Sequence, residues 1–291
     1  MNSWIVAMRP RTLPVSVAGV LTAIGLSAFN GVFKPIPALL CFLFALLAQI
    51  VSNFANEYYD FKRGTDKIGR VGPRRGVTEG DITPNAMRNV TFATLAVTGI
   101  IGCGLIPFGG WWLLPIGLAI AVFALAYSTG PYPLSYHGLG DIAVLIFFGI
   151  VPVNLTFYVQ SGYFDINVFL ASISIGLLSM NVLLVNNYRD MEDDATAGKH
   201  TTVVIFGRKK AVIAYVFSGY IAMALLSWFW LTLPLWVFAC PAIYLALHTF
   251  TWNQLTTRTG SELNSILGAT ARNMLIFALL FVGSLLIEKY L

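Results

Sequence analysis

The chain has 291 residues, of which 57% are hydrophobic and 11% charged, whereas water-soluble domains carry roughly 25% charged residues. With a mean hydropathy of +0.75 it lacks the polar surface to cover a water-facing fold, and it reads as an integral membrane protein. The formal net charge of +5 does not call for nucleic acid, because membrane proteins gather Lys and Arg in their cytoplasmic loops. Cys41, Cys103 and Cys240 lie far apart, each inside an apolar run. They suit neither a disulfide framework nor a zinc site and are expected to be buried small hydrophobes. Arg9 and Arg11 come just before the first apolar run, so no cleaved signal peptide is expected.

A bilayer-crossing helix needs about 20 mostly apolar residues. In chain order that length predicts nine spans: Leu13–Phe29, Ile36–Tyr58, Val90–Pro107, Trp111–Ser128, Asp141–Gln160, Ile166–Asn186, Ala211–Leu231, Leu233–Phe250 and Ile266–Ile287. Pro107-Phe108-Gly109-Gly110 divides a run too long for one crossing, and Leu231-Thr232-Leu233-Pro234 does the same later. If the N-terminus is cytoplasmic, all of the 18 Lys and Arg except Lys34 and Lys289 fall on the inner side. The expected architecture is an all-α polytopic bundle of nine transmembrane helices forming one domain over residues 1–291.

Most of the acids lie in two loops, 56–88 and 186–210, which follow even-numbered spans and so share the cytoplasmic face. The first opens Asn56-Glu57-Tyr58-Tyr59-Asp60 and the second Asn186-Asn187-Tyr188-Arg189-Asp190-Met191-Glu192-Asp193-Asp194. Residues four apart on a helix share a face at about 6 Å. Asn56 with Asp60, and Asn186 with Asp190 and Asp194, would then each present a row of oxygens. Oxygen-only donor sets of this kind suit Mg²⁺. One such cluster alone could equally be a solvated helix end, but two on one face, beside basic residues, favour a functional reading. Arg63, Arg70, Arg74, Arg75 and Lys199 follow closely. Each cation could serve topology alone, yet carboxylate-held Mg²⁺ beside Arg and Lys is the arrangement that grips a diphosphate. A diphosphate enzyme with nine spans implies a long hydrocarbon tail on the substrate. The residues therefore point to Mg²⁺-assisted ionisation of a lipid diphosphate at the cytoplasmic face.

On these motifs the chain resembles the UbiA-type intramembrane prenyltransferases. The matching segments are Arg9-Pro10-Arg11-Thr12-Leu13-Pro14, Asp60-Phe61-Lys62-Arg63-Gly64-Thr65-Asp66 and Arg70-Val71-Gly72-Pro73-Arg74-Arg75-Gly76-Val77-Thr78. They continue through Tyr127-Ser128-Thr129-Gly130-Pro131-Tyr132-Pro133-Leu134, Gly138-Leu139-Gly140-Asp141, Asn186-Asn187-Tyr188-Arg189-Asp190, Ala197-Gly198-Lys199 and Gly207-Arg208. Within that superfamily the local sequences are most similar to the 1,4-dihydroxy-2-naphthoate polyprenyltransferase branch of menaquinone biosynthesis. One departure is that Asn56-Glu57 stands where the family usually has Asn-Asp.

The resemblance implies nine helices, Asp-rich motifs after the second and sixth, and a bacterial inner-membrane location with cytoplasmic active-site loops. It implies electrophilic aromatic substitution, in which Mg²⁺ held by Asn56, Asp60, Asn186, Asp190 and Asp194 neutralises the leaving diphosphate. Asn56, Asp60, Asp190 and Asp194 would be the catalytic set, and Arg63, Arg70, Arg75 and Lys199 would bind diphosphate. The substrates would be a polyprenyl diphosphate and a small aromatic acid, the latter met by Arg9, Arg11, Tyr127 and Ser128. Tyr58, Tyr59, Tyr127 and Tyr188 could stabilise an allylic cation through their rings. His137, His200 and His248 show no ligand spacing, and His248 is expected to be a packing residue. Rival readings are a related enzyme acting on 4-hydroxybenzoate or homogentisate, a CDP-alcohol phosphatidyltransferase, whose motif is absent, and a cation-coupled transporter. A transporter would place acids at mid-membrane rather than at helix ends.

Overall fold

The computed structural model describes residues 2–66, 68–69 and 71–291, and among them every regular element is helical. A short helix α1 (Ser3–Ala7) leads into α2 (Leu13–Phe29), α3 (Pro35–Arg63) and α4 (Pro84–Cys103). A single turn α5 (Ile106–Gly109) and α6 (Leu113–Ala126) follow. Then α7 (Gly140–Val144) and α8 (Val151–Ser161) are joined by a π-helical stretch, Leu145–Ile150. The second half comprises α9 (Ile166–Arg189), α10 (Met191–Thr196), α11 (Thr202–Leu225), α12 (Ser227–Thr232), α13 (Ala239–Thr257) and α14 (Leu263–Tyr290).

The ends of these helices follow from local chemistry. Proline occupies the first turn of α3 and of α4, where its missing N–H costs nothing. The Asp165 carboxylate caps α9 by accepting from the Asn167 and Val168 amides at 2.8 and 3.1 Å. Gly64, at φ 69°, closes α3 directly after its basic last turn.

Six stretches among the described residues are long and apolar enough to cross a bilayer: Pro35–Arg63, Pro84–Gly109, Gly140–Ser161, Ile166–Arg189, Leu235–Thr257 and Gly260–Tyr290. Each coincides with an expected span. Two more expected spans fall on the shorter apolar helices Leu13–Phe29 and Leu113–Ala126. The remaining one, Ala211–Leu231, falls on α11 and α12; α11 is interrupted at Gly207 (φ 81°), beside the basic run Arg208, Lys209, Lys210. Many large apolar side chains face outward, among them Ile36, Leu118, Trp111 and Leu235, as a lipid-facing surface requires. This is an integral membrane protein.

The main core lies where α2 packs on α14 and α8, and where α9 packs on α11 and α14. Its centre is Leu26, Phe157, Ile175, Tyr215, Phe277 and Phe281, all almost wholly buried. The π-helical stretch meets α9 through two glycines: a Cβ on Gly149 would sit 2.4 Å from the Gly176 Cα. Small residues let membrane helices touch backbone to backbone, where van der Waals contact rather than the hydrophobic effect drives association. Cys41 and Cys240 are buried as expected, whereas Cys103 faces outward near the end of α4. His248 is a buried packing residue, bonded to Tyr244 and to the Val216 carbonyl at 3.3 Å each.

Candidate functional site

Both acidic motifs converge on one polar cavity of about 610 Å³ at one end of the bundle. In the first motif α3 stays helical through Arg63, so Asn56 and Asp60 do share a face, and both line the cavity. In the second motif the expected single row is broken. α9 stops at Arg189, Asp190 leaves helical geometry (φ −93°, ψ 10°), and α10 restarts at Met191. Asn186, Asp190 and Asp194 still reach the cavity, but from two helices meeting at a corner.

Lys199 ties the two motifs together. Its ammonium lies 3.7 Å from Asp60 Oδ2 and 3.9 Å from Asp194 Oδ1, so carboxylates 134 residues apart in sequence share one cation. Burial alone would lower the Lys199 pKa, but the charges of Asp60 and Asp194 outweigh it and hold the pKa above its ordinary value. Lys199 therefore stays charged at neutral pH. The Tyr136 ring lies under both the Lys199 ammonium and the Arg63 guanidinium, 5.1 Å from each.

The cations divide into those that reach the cavity and those engaged elsewhere. Arg9, Arg11, Arg74, Arg75, Arg189 and Lys199 line it. Arg9 adopts a left-handed backbone (φ 53°), uncommon for a residue with a Cβ, and donates to Asn56 Oδ1. Arg75 donates to the same oxygen at 3.1 Å and pairs with Asp66 at 3.3 Å and Glu57 at 3.9 Å. Glu57 is thus a buried anchor: its other oxygen accepts from the Val77 amide at 3.1 Å, which fixes the loop carrying Arg75. Arg63 does not line the cavity; it donates to the carbonyls of Ser128 and Gly130 and so pins the loop after α6. Arg70 lies outside the described residues. Arg74 lines the cavity edge but is largely exposed and pairs with Asp81 at 3.0 Å.

Of the expected acceptor contacts, Tyr127 lines the cavity, while Ser128 is fully buried and accepts from the Asn56 amide at 2.9 Å. Tyr58 packs edge-on against Tyr59, and Tyr188 stacks under Arg208. Of these four tyrosines only Tyr127 is on the cavity wall.

Several participants have roles that the sequence pattern does not assign. Arg189 grips both Asp190 oxygens at 2.6 Å, and its remaining donors reach Asn186 and Asn264 at 2.9 Å each. Asn264 in turn donates to the Val71 carbonyl, tying α14 to the first acidic loop. Tyr136 and the pair Asp141–Thr202 belong to the same group. Only their position after the fold is formed reveals these roles, although Gly138-Leu139-Gly140-Asp141 marks Asp141 as part of a motif.

A second cavity of about 430 Å³ adjoins the first and shares Gln49, Ser52, Tyr127, Val144 and Phe148 with it. Its walls are otherwise almost wholly apolar, built from α3, α4, α6 and α8. A charged pocket opening into an apolar one suits a ligand with an anionic head and a hydrocarbon tail.

The profile of the UbiA prenyltransferase family matches residues 16–269. The chain belongs to this family. Relatives agree: a 1,4-dihydroxy-2-naphthoate octaprenyltransferase of Haemophilus influenzae is 34% identical, over 99% of this chain and 96% of that one. One of the same name from Mycobacterium tuberculosis is 35% identical, over 97% and 96%. A solved UbiA homologue from Archaeoglobus fulgidus, bound to DMAPP and Mg²⁺, shares the fold with a TM-score of 0.68 at 15% identity, over 97% and 99% of the two chains. Family membership makes the protein a prenyltransferase, and the polar cavity is its candidate active site.

Proposed function

We propose that this protein transfers the prenyl group of a polyprenyl diphosphate to 1,4-dihydroxy-2-naphthoate, releasing diphosphate and CO₂ and forming a demethylmenaquinol, the reduced form of a demethylmenaquinone. The observation that carries the reading is the cavity in which Lys199 bridges Asp60 and Asp194 and which Arg9, Arg11 and Arg75 also line. The names of relatives matched over nearly their whole length support the choice of acceptor.

The diphosphate head lies between the two motifs, with Lys199 and Arg75 sharing its charge. Asn56, Asp60, Asn186, Asp190 and Asp194 are the donor set for a divalent cation, and their chemistry fits one. All donors are oxygens, and Asp60 Oδ1 is closed in with no hydrogen-bond partner among the described residues. Among those residues no three His, Cys, Asp or Glu gather as a metal cluster of their own. Mg²⁺ ordinarily takes only one or two carboxylates and completes its shell with phosphate oxygens and water. When bound, the cation offsets the negative charge that builds on the leaving diphosphate.

The prenyl tail occupies the apolar cavity along α3, α4 and α6, and Phe148 and Val144 stand where the two cavities join. That lining keeps water from the allylic cation until the aromatic ring attacks it. The acceptor carboxylate is met by Arg9 or Arg11, with Tyr127 beside the ring. Arg63 and Ser128 act by position: one fixes the loop after α6, the other orients Asn56. We place the N-terminus and both acidic loops on the cytoplasmic side of a bacterial inner membrane, with nine crossings.

Purified protein given Mg²⁺, an isoprenyl diphosphate series and a panel of aromatic acids tests the reading by product mass. The expected product from dihydroxynaphthoate has gained the prenyl group and lost CO₂. Turnover of 4-hydroxybenzoate or homogentisate alone would move the protein to another branch of the family, and full turnover in excess EDTA would remove the metal.

A further inference from the structure

Five carboxylates line the polar cavity, and four of them are paired with cations. Glu57 faces Arg75, Asp60 and Asp194 face Lys199, and Asp190 is held by Arg189. Asp141 is the exception: among the described residues no Lys or Arg pairs with it. It sits in the first turn of α7, about nine-tenths buried. Thr202, the first residue of α11, donates to its Oδ2 at 2.5 Å. Its Oδ1 is buried at the cavity wall without any hydrogen-bond partner among the described residues. Gly140, its neighbour, packs close to the Tyr127 ring: a Cβ there would meet Leu183 Cδ2 at 3.3 Å and the Tyr127 hydroxyl at 3.5 Å. A buried acceptor that no described residue satisfies is retained at a cost, which a donor on the ligand would relieve.

We infer that Asp141 is the acceptor-side general base, receiving a ring hydroxyl of the aromatic substrate while Thr202 fixes its orientation. The inference rests on the phenolic-acid acceptor proposed above. A carboxylate beside Lys or Arg is poised to hold a metal or complete an ion pair. One left without a cation, bonded on one oxygen and unsatisfied on the other, is poised to take a proton. CO₂ is lost from the carbon that the electrophile attacks, because only there does the ring carbon become tetrahedral beside a new carbonyl. The ring electron pair forms the bond to the allylic carbon, whose bond to diphosphate has broken with its pair leaving on oxygen. The neighbouring hydroxyl becomes a carbonyl, and its proton passes to Asp141 Oδ1. Cleavage of the carboxylate bond then releases CO₂, its electron pair returns to the ring, and the same oxygen takes the proton back. The proton is borrowed, so the base is regenerated in each turnover.

The test counts diphosphate release, prenylated product and prenyl alcohol in the same reactions, with Mg²⁺, a polyprenyl diphosphate and 1,4-dihydroxy-2-naphthoate. Asp141→Asn keeps the shape and the Thr202 contact but cannot accept a proton. It should lower prenylated product about a hundredfold or more, with the KM for the diphosphate unchanged. The diphosphate it still releases should be matched by prenyl alcohol, since water takes the cation that the ring no longer captures. Thr202→Val should shift the same partition in the same direction by about tenfold. Asp141→Glu, which restores a base, should recover product over Asp141→Asn. Equal product per diphosphate in Asp141→Asn and the unaltered protein would overturn the inference. So would a loss of diphosphate release in proportion to product, which would place Asp141 on the donor side. If the unaltered protein prenylates no phenolic acid, it is the proposed reaction that fails instead.

Discussion

The two halves of the bundle are built differently. In Ile166–Arg189 and Gly260–Tyr290 half or more of the apolar stretch is buried, whereas in Pro84–Gly109 only 17% of it is, and α6 has no buried residue. The α9–α11–α13–α14 half is knitted by polar bonds between the helices: Ser218 donates to Asn181, Asn181 to the Tyr215 carbonyl and Asn273 to Thr251, and the Tyr215 hydroxyl pairs with Thr270. Interhelical bonds of this sort hold membrane helices together where burial of apolar surface gives no advantage over lipid. The α3–α4–α6 half has few such bonds and leaves the apolar cavity instead. One half fixes the geometry, the other leaves room for a tail, and the two acidic loops bridge them.

The largest expected effect comes from cutting that bridge. Asp60→Asn preserves shape but removes a charge opposed to Lys199, so kcat should fall about a thousandfold or more with little change in thermal midpoint. A loss confined to KM would move Asp60 out of the reacting centre. On the scaffold side the opposite pattern is expected. A Cβ on Gly219 would fall 2.3 Å from the His248 ring, so Gly219→Val should cost about 1–3 kcal/mol of stability by overpacking. Turnover per folded molecule should be unaltered. Unfolding in detergent, followed with activity in the same samples, separates the two.

How far these differences are legible in the sequence depends on the residue. Asn56 and Asp60 are readable as a row because α3 is unbroken across them. The second row is not, because Asp190 leaves the helix to meet Arg189, a neighbour in sequence whose pairing no spacing rule specifies. Arg63 carries the right charge in the right motif, yet its donors go to carbonyls of the loop after α6, seen only when α3 and that loop are packed together. Helix positions were set by apolar length and so were readable. The π-helical turn at Leu145–Ile150 and the contact of Gly149 with Gly176 arise from close helix crossing, which leaves no local pattern. The single polar cavity is likewise a property of the assembled loops.

Two smaller effects sharpen the contrast. Ala45 lines the apolar cavity, so Ala45→Phe should raise KM for the longest diphosphates about tenfold and leave short ones unaffected. An equal change for all lengths would place the tail elsewhere. Asp165→Ala removes the cap of α9 at the end of that helix away from the acidic motif. It should lower stability by about 1 kcal/mol with no change in kcat; a fall in kcat would show that the scaffold transmits strain to the site.

The most direct test of the shared site is a double-mutant cycle on Asp60 and Asp194, the two carboxylates on Lys199, read as the rate of diphosphate release. If the motifs act as one unit, Asp60→Asn and Asp194→Asn each remove most of the rate, and the double variant is little slower than either alone. Losses that multiply would mean two independent sites and would contradict the account.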